Sequence, residues 1–379
     1  MSNIPFETIP SPCYVLDEKL LRRNLKILKS VKDRANVEII LAFKGFAMWG
    51  VFPVVREYIQ GATASSLYEA RLAYEEMKTR PHTYAPVYKE EEFDAIAGMS
   101  SHLTFNSLSQ FEKFKPKLKG NDFSVGLRVN PEYSEVSTDL YNPCAPGSRL
   151  GVLIENMPDV LPDEIEGLHF HALCESPVDD LEKTLQAFEN KFSGYLKKVK
   201  WVNMGGGHLI THKDYDVEKL IALLKDFKER HEVEVILEPG AAFAWETGFL
   251  VSTVQDVVEN KGIKTAMLDV SFTAHMPDCL EMPYKPKILG ACHEPVVGKP
   301  TYRMGGNSCL SGDYVGDWSF DKPLQPGDTI VFNDMMHYTM VKTTMFNGID
   351  HPSIGMWTVN GELKLFRKFT YEDYRNRLS

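Results

Sequence analysis

Eight short apolar runs, separated by helix-like segments, constrain this chain more than any other feature, because they recur through the first two-thirds of its length. In order they are Val37–Phe43, Ile59–Ala64, His82–Val87, His102–Asn106, Phe123–Asn130, Glu166–His171, Trp201–Met204 and Val233–Glu238. Several are rich in β-branched or aromatic residues, as strands buried on both faces are. Between them, Ser66–Met77, Val178–Val199 and Tyr215–Phe227 put apolar residues at helical spacing with charged residues in the gaps. Strand–helix alternation repeated eight times predicts a (β/α)8 barrel over residues 19–248, in preference to an open doubly wound sheet. One connection is longer than the rest. Pro131–Gly151, with Pro143, Pro146 and Gly147, reads as a loop over the barrel mouth, where lids and binding loops are found, or equally as a disordered insertion.

Beyond residue 248 the pattern changes. Phe249–Val258, Ala266–Val270, Thr301–Met304, Thr329–Phe332, Trp357–Val359 and Leu363–Arg367 read as strands between turns such as Pro326-Gly327-Asp328. Cys13–Leu16 is strand-like and precedes the barrel, so it is expected to pair into this later sheet. The α/β chain therefore divides into a barrel and a mostly β domain made of residues 1–18 plus 249–379. A length of 379 residues suits such a division.

Composition narrows the function classes. A net charge of −10 argues against a nucleic-acid partner, which would select a basic face, and is compatible with a cationic substrate. No window is apolar for long enough to span a bilayer. MSNIPFETIPSP lacks the basic start and apolar core of a signal peptide, and six cysteines occur without CxxC spacing. A cytoplasmic protein with reduced thiols is the expectation.

Most of the apolar runs end in residue types that do chemistry, and the C-terminal ends of barrel strands are where active sites are built. Lys44 follows the first run amid Phe43, Phe46, Met48 and Trp49; desolvation there would favour the neutral amine that condenses with an aldehyde. By itself it reads more readily as a surface lysine at a strand end. His169 and His171 share a strand face; they suit a metal pair, an imidazole laid against a planar cofactor, or core packing. Gly205-Gly206-Gly207 could open backbone N–H groups to a phosphate, or simply turn the chain. Glu238, before Pro239-Gly240, could hold a pyridinium N–H or serve as a structural carboxylate. In the second domain, Cys309 lies in a Gly/Ser/Asp loop and could donate a proton. Tyr338 could reach a phosphate oxygen or pack internally.

Taken in order, the strand-end lysine, Ser66-x-x-Glu69, His-Phe-His, the triple glycine, Glu-Pro-Gly, the loop cysteine before Ser-Gly-Asp, and Asp334-x-x-x-Tyr338 resemble the pyridoxal-phosphate decarboxylases of the alanine-racemase fold. That family includes ornithine/arginine and diaminopimelate decarboxylases, and the resemblance runs through essentially the whole chain. Ala241 stands where the better-known branches carry a phosphate-binding arginine. Leu310 stands where diaminopimelate decarboxylases carry a glutamate. With these departures, LAFKGF, MGGGH, EPGAAFAWE, HMPDCLEMPYKP, GNSCLSGDY and DMMHYTMVKTTMFNG are similar to the carboxynorspermidine (carboxyspermidine) decarboxylase branch of polyamine synthesis.

The resemblance implies pyridoxal 5'-phosphate as cofactor, bound covalently by Lys44, with His171 stacked on its ring and Glu238 on its pyridine nitrogen. Gly205, Gly206, Gly207, Gly240 and Tyr338 would hold the phosphate side. Cys309, with His171, would protonate the substrate carbon, in a homodimer whose active sites are shared across the interface. Asp278, Glu281 and Asp313, with Glu238, would face the substrate and its ammonium groups. No metal is expected. The rivals are diaminopimelate decarboxylation, a non-catalytic homologue that binds cofactor or a partner protein, and a metal-dependent barrel hydrolase using His169 and His171.

Overall fold

The eight apolar runs close into a parallel barrel, after a first strand β1 (Cys13–Asp17) that pairs elsewhere. The barrel strands are β2 (Glu38–Ala42), β3 (Gly61–Ala64), β4 (His82–Tyr84), β5 (His102–Phe105), β6 (Ser124–Arg128), β7 (Ile165–His169), β8 (Trp201–Asn203) and β9 (Glu234–Leu237). Pairing of Glu38 with Ile236 and of Ile39 with Leu237 joins the last strand to the first. The computed structural model describes residues 4–120 and 122–379, so residues 1–3 of the expected second domain lie outside the described residues. Each strand is shorter than its apolar run, because the run extends into the loop at one or both ends of the strand.

Trp201 explains how the barrel interior is filled. It begins β8, and its indole occupies space left by glycines on the two preceding strands. A Cβ on Gly167 would lie 2.0 Å from the indole, and one on Gly126 would lie 2.4 Å from it. Ile40 and Ile236 pack with the same ring. The indole N–H is not stranded: it donates to Ser124 Oγ (2.8 Å), whose own hydroxyl donates to Glu166 (2.6 Å). Gly167→Ala is therefore expected to overpack the barrel and destabilise it by about 1–3 kcal/mol. The measurement is urea denaturation, read as a lower midpoint at unchanged slope. An unchanged midpoint would mean the indole yields without cost.

Helix starts follow their capping residues. Ser66 Oγ accepts the Glu69 N–H (3.2 Å) while the Glu69 carboxylate accepts the Ser65 N–H (2.6 Å), which starts the helix Leu67–Leu72. Ser107 and Asp216 likewise accept the N–H three residues on, from Gln110 and Lys219, at the starts of the helices Leu108–Phe114 and Val217–His231. The second helix-like segment forms Val178–Leu196. The long connection Pro131–Gly151 has only a 3-10 turn, Asp139–Tyr141. It is pinned at its end by Asn106, which donates to Arg149 O (2.9 Å) and accepts from Gly151 N–H (2.9 Å).

The chain divides into two compact units, Asn24–Phe243 and Ala244–Ser379 with the segment up to Arg23. The second unit carries β10 (Gly248–Asn260), β11 (Ile263–Leu268), β12 (Ala291–Cys292), β13 (Thr301–Gly305), β14 (Tyr314–Phe320), β15 (Thr329–Asn333), β16 (Ser353–Trp357) and β17 (Leu363–Arg367). Their order is β12-β14-β13-β11-β10-β1-β16-β17, with β15 also on β10. The early strand β1 does join this sheet, antiparallel to β10 and parallel to β16. Two details correct the sequence reading. The strand expected at Trp357–Val359 lies earlier, because Thr358 already begins a turn in which its N–H donates to Glu362 O (2.9 Å). Strands β12 and β14 have no counterpart in that reading: β12 is a two-residue strand, and Gly316 and Asp317 make β14 resemble a loop. Among the described residues no helix is long and apolar enough to cross a membrane.

Candidate active site

Lys44 lies in the turn after β2, where the Gly45 N–H donates to Ala42 O (3.0 Å). A Cβ on Gly45 would lie 2.8 Å from Gly240 Cα, so the lysine turn and the segment after β9 touch backbone to backbone. Gly240 is thus needed for that close approach, whatever else it contacts. The Lys44 side chain reaches solvent, yet the surrounding protein lowers its pKa by burial, and the Arg128 cation lowers it further. Because water still reaches the amine, the lowering is smaller than a sealed cavity would bring.

The triple glycine is wedged between the ends of β7 and β9. Gly205 and Gly207 have φ of +70° and +89°, a region where side chains are strained. A Cβ would meet Phe170 O at 2.5 Å from Gly205, Glu238 O at 2.5 Å from Gly206, and Leu173 O at 2.2 Å from Gly207. His171 lies two residues beyond the end of β7, and its Nδ1 sits 3.1 Å from both the amide nitrogen and the carbonyl oxygen of Gly206. The glycine turn therefore fixes the ring's orientation. Burial, with Lys44 and Arg128 nearby, drives the His171 pKa well down, so it stands as a neutral ring. Among the described residues the N–H groups of Gly207 and His208 have no acceptor.

Glu238 follows β9 and points into a polar layer across the barrel. Arg128, His169 and Asn203 are register partners on β6, β7 and β8. Asn203 Nδ2 donates to Glu238 Oε1 (2.7 Å), and His169 Nε2 lies 3.7 Å from Glu238 Oε2. Burial raises the Glu238 pKa, against hydrogen bonds from Asn203 and Thr63 that hold it down. Arg128 lies over the Tyr84 ring, 4.8 Å from its centroid, and donates to His171 O (3.3 Å). Sequence reasoning missed Arg128 and Asn203; the signal was a charged or amide side chain inside an otherwise apolar strand.

The structure thus brings Lys44, His171, Gly205–Gly207, Glu238 and Gly240 together at one end of the barrel. Pyridoxal phosphate fits these residues. The glycine turn packs too closely on neighbouring carbonyls for any Cβ, and the N–H groups of Gly207 and His208 have no acceptor among the described residues, as a phosphate site requires. The lysine, the flat neutral imidazole and the buried carboxylate match the aldehyde, ring and ring nitrogen in kind.

The remaining candidates belong to the second unit. Cys309 is exposed, with its N–H donating to Asn347 Oδ1 (2.8 Å). Both oxygens of the buried Asp313 accept backbone N–H groups, from Thr273 and from Ser308 (each 3.0 Å), so this carboxylate shapes the cysteine loop. Asp278, in the short helix Pro277–Glu281, accepts from Tyr284 (2.6 Å) and Thr339 (2.8 Å) at Oδ2. Its Oδ1 is buried and has no partner among the described residues. Glu281 pairs with Lys342. Tyr338 opens the helix Tyr338–Val341, whose Thr339 is the residue bonded to Asp278. Among the described residues no group of three or more His, Cys, Asp or Glu could hold a metal.

Comparison with known proteins gives a consistent result. Residues 13–336 match the family model described as pyridoxal-dependent decarboxylase, C-terminal sheet domain. The chain is 52% identical, over its full length and 98% of the relative, to carboxyaminopropylagmatine decarboxylase of Synechocystis sp.. It is 46% identical, over 98% of its length and 99% of the relative, to carboxynorspermidine/carboxyspermidine decarboxylase of Campylobacter jejuni. The crystal structure of carboxynorspermidine decarboxylase complexed with norspermidine from Campylobacter jejuni matches with a TM-score of 0.91 at 45% identity. That match covers 97% of this chain and all of the other.

Proposed function

The chain belongs to the pyridoxal-dependent decarboxylases, and from that premise we propose that it removes CO2 from a carboxylated polyamine, carboxynorspermidine and/or carboxyspermidine, in polyamine synthesis. The observation that carries this reading is 46% identity, over 98% of the chain, to a decarboxylase named for these two substrates. When bound, pyridoxal phosphate supplies the electron sink for the bond that breaks. The protein supplies orientation and electrostatics. Lys44 would attach the cofactor, and the neutral His171 ring and the Glu238 carboxylate would hold its ring and its ring nitrogen. The Gly207 and His208 N–H groups would hold the phosphate where Ala241 offers no side-chain donor, and Tyr338 is assigned to the phosphate as well.

Cys309, with His171, is assigned the protonation of the substrate carbon, and its exposure in a polar loop suits proton transfer. We infer a cytoplasmic homodimer in which this cysteine acts across the interface. Asp278, Glu281 and Asp313 are assigned to the substrate's ammonium groups. Asp278 is the best suited of the three. Its Oδ1 is buried without a donor among the described residues, whereas Asp313 is occupied by backbone N–H groups and Glu281 by Lys342.

A second reading, carboxyaminopropylagmatine, is favoured by the 52% identical relative. The two differ in the head group to be recognised. A guanidinium binds a carboxylate best through both oxygens, and Asp278 Oδ2 already accepts two hydroxyl groups. One open oxygen suits an ammonium better. Steady-state decarboxylation of carboxynorspermidine, carboxyspermidine, carboxyaminopropylagmatine and diaminopimelate, side by side, tests the assignment. A carboxylated polyamine is expected to have the highest kcat/KM. Preference for diaminopimelate would overturn the reading, and preference for carboxyaminopropylagmatine would select the second form of it.

A further inference from the structure

We propose that His169 is the positioning residue of the barrel carboxylate, a neutral N–H donor that holds Glu238 Oε2 toward the cofactor's ring nitrogen without neutralising its charge. The inference rests on the cofactor reading above.

His169 is almost fully enclosed, with 2% of its surface exposed, and neither ring nitrogen has a hydrogen-bond partner among the described residues. A buried imidazole without partners is costly, and such groups in native proteins call for an explanation. The nearest carboxylate atom is Glu238 Oε2, 3.7 Å from Nε2. That gap is about an ångström beyond hydrogen-bond length, and a small rotation of the carboxylate about its Asn203-anchored oxygen would close it. The ring itself is held. The Tyr84 ring meets it edge-on, with centroids 5.2 Å apart, and Tyr84 is in turn fixed by its hydroxyl on Asn106 (2.8 Å) and by Arg128 over its face.

The surroundings also decide the charge of the donor. Burial first, and then the Arg128 cation, oppose protonation of His169 and push its pKa well down. It can therefore give one N–H to Glu238 while contributing no positive charge. An arginine or lysine in its place would pair with the carboxylate and weaken its hold on a pyridinium proton. A neutral donor orients the carboxylate and leaves its charge for the ring nitrogen. Outer-shell hydrogen bonds that orient the ligands of metal sites are typically worth about 10–100-fold in activity, and an orienting bond to Glu238 is taken to act on the same order.

The test compares His169→Gln, which retains an N–H donor, with His169→Met, which has similar length and none. Both variants are loaded with pyridoxal phosphate and followed by cofactor absorbance, cofactor dissociation constant, and kcat and KM separately. His169→Met should lower kcat by about 10–100-fold with KM unchanged, and should weaken cofactor binding by about tenfold, the effect of one lost hydrogen bond. His169→Gln should lie near the parent in both. A structural role alone would lower thermal stability in both variants without separating kcat from KM. Histidine-selective nitrogen NMR of the parent holoenzyme needs no variant to fold. It should show His169 as the neutral Nε2–H tautomer, and the Nδ1–H tautomer or an imidazolium would overturn the proposal. If the parent shows no lysine-linked absorbance, the cofactor reading itself fails. If that band is present and His169→Met equals the parent in kcat and cofactor affinity, this inference alone fails.

Discussion

Lys44→Ala should eliminate the visible absorbance of lysine-bound pyridoxal phosphate and lower decarboxylation by on the order of a thousandfold or more. The expectation follows from the place of the amine. Lys44 stands at the end of β2 in a crowded mouth that favours the uncharged, nucleophilic form, and no other lysine is among the groups that perturb it. Added small amines should restore part of the turnover, because they replace the missing nucleophile but not its attachment. The same crowding fixes the sign of the stability effect. A lysine whose folded pKa lies below its unfolded value costs stability at every pH below the folded pKa, where the fold must hold a disfavoured cation. The unloaded alanine variant should therefore be no less stable than the parent. The readouts are an absorbance scan of the reconstituted protein and a thermal melt of the unloaded one. A persistent lysine-linked band would remove Lys44 from the site.

Much of the barrel site is legible in the sequence because it rests on strand ends. A buried parallel strand must be apolar, so a lysine, histidine or glutamate at its end stands out, and Lys44, His171 and Glu238 are visible in this way. What is not legible depends on which neighbour a side chain meets. Arg128 and Asn203 sit within strands, and only the register between β6, β7 and β8 shows that they form one layer with His169. The pair Gly126 and Gly167 reads as weak strand sequence until Trp201 is seen to fill their space. In the sheet domain, local propensity draws β16 toward Trp357-Thr358-Val359, which are all good strand formers. Its actual residues include Ser353 and Gly355, and they are held by parallel pairing to β1, more than 300 residues away in sequence. Tertiary pairing there overrides local preference.

Glu238→Gln is expected to lower kcat by about 10²–10³-fold, the usual cost of removing one preorganised electrostatic partner from a water-poor site. The substitution keeps shape and the oxygen that accepts from Asn203, so it isolates charge from packing. Cofactor attachment should survive, since Lys44 and the glycine turn are untouched, and KM should change little. Stability should move the other way. Burial raises the Glu238 pKa above its unfolded value, and a carboxylate shifted in that direction costs stability once the pH exceeds the unfolded value. At neutral pH the unloaded glutamine variant should therefore melt at the same temperature as the parent or higher, while turning over far more slowly. This opposition separates the two readings of the residue. A carboxylate retained for structure would show the reverse, with a lower melting temperature and turnover close to that of the parent. Stability given up at a buried charge is what a residue kept for electrostatics requires, and Glu238 has the surroundings for it: an amide anchor on one oxygen and a neutral imidazole facing the other.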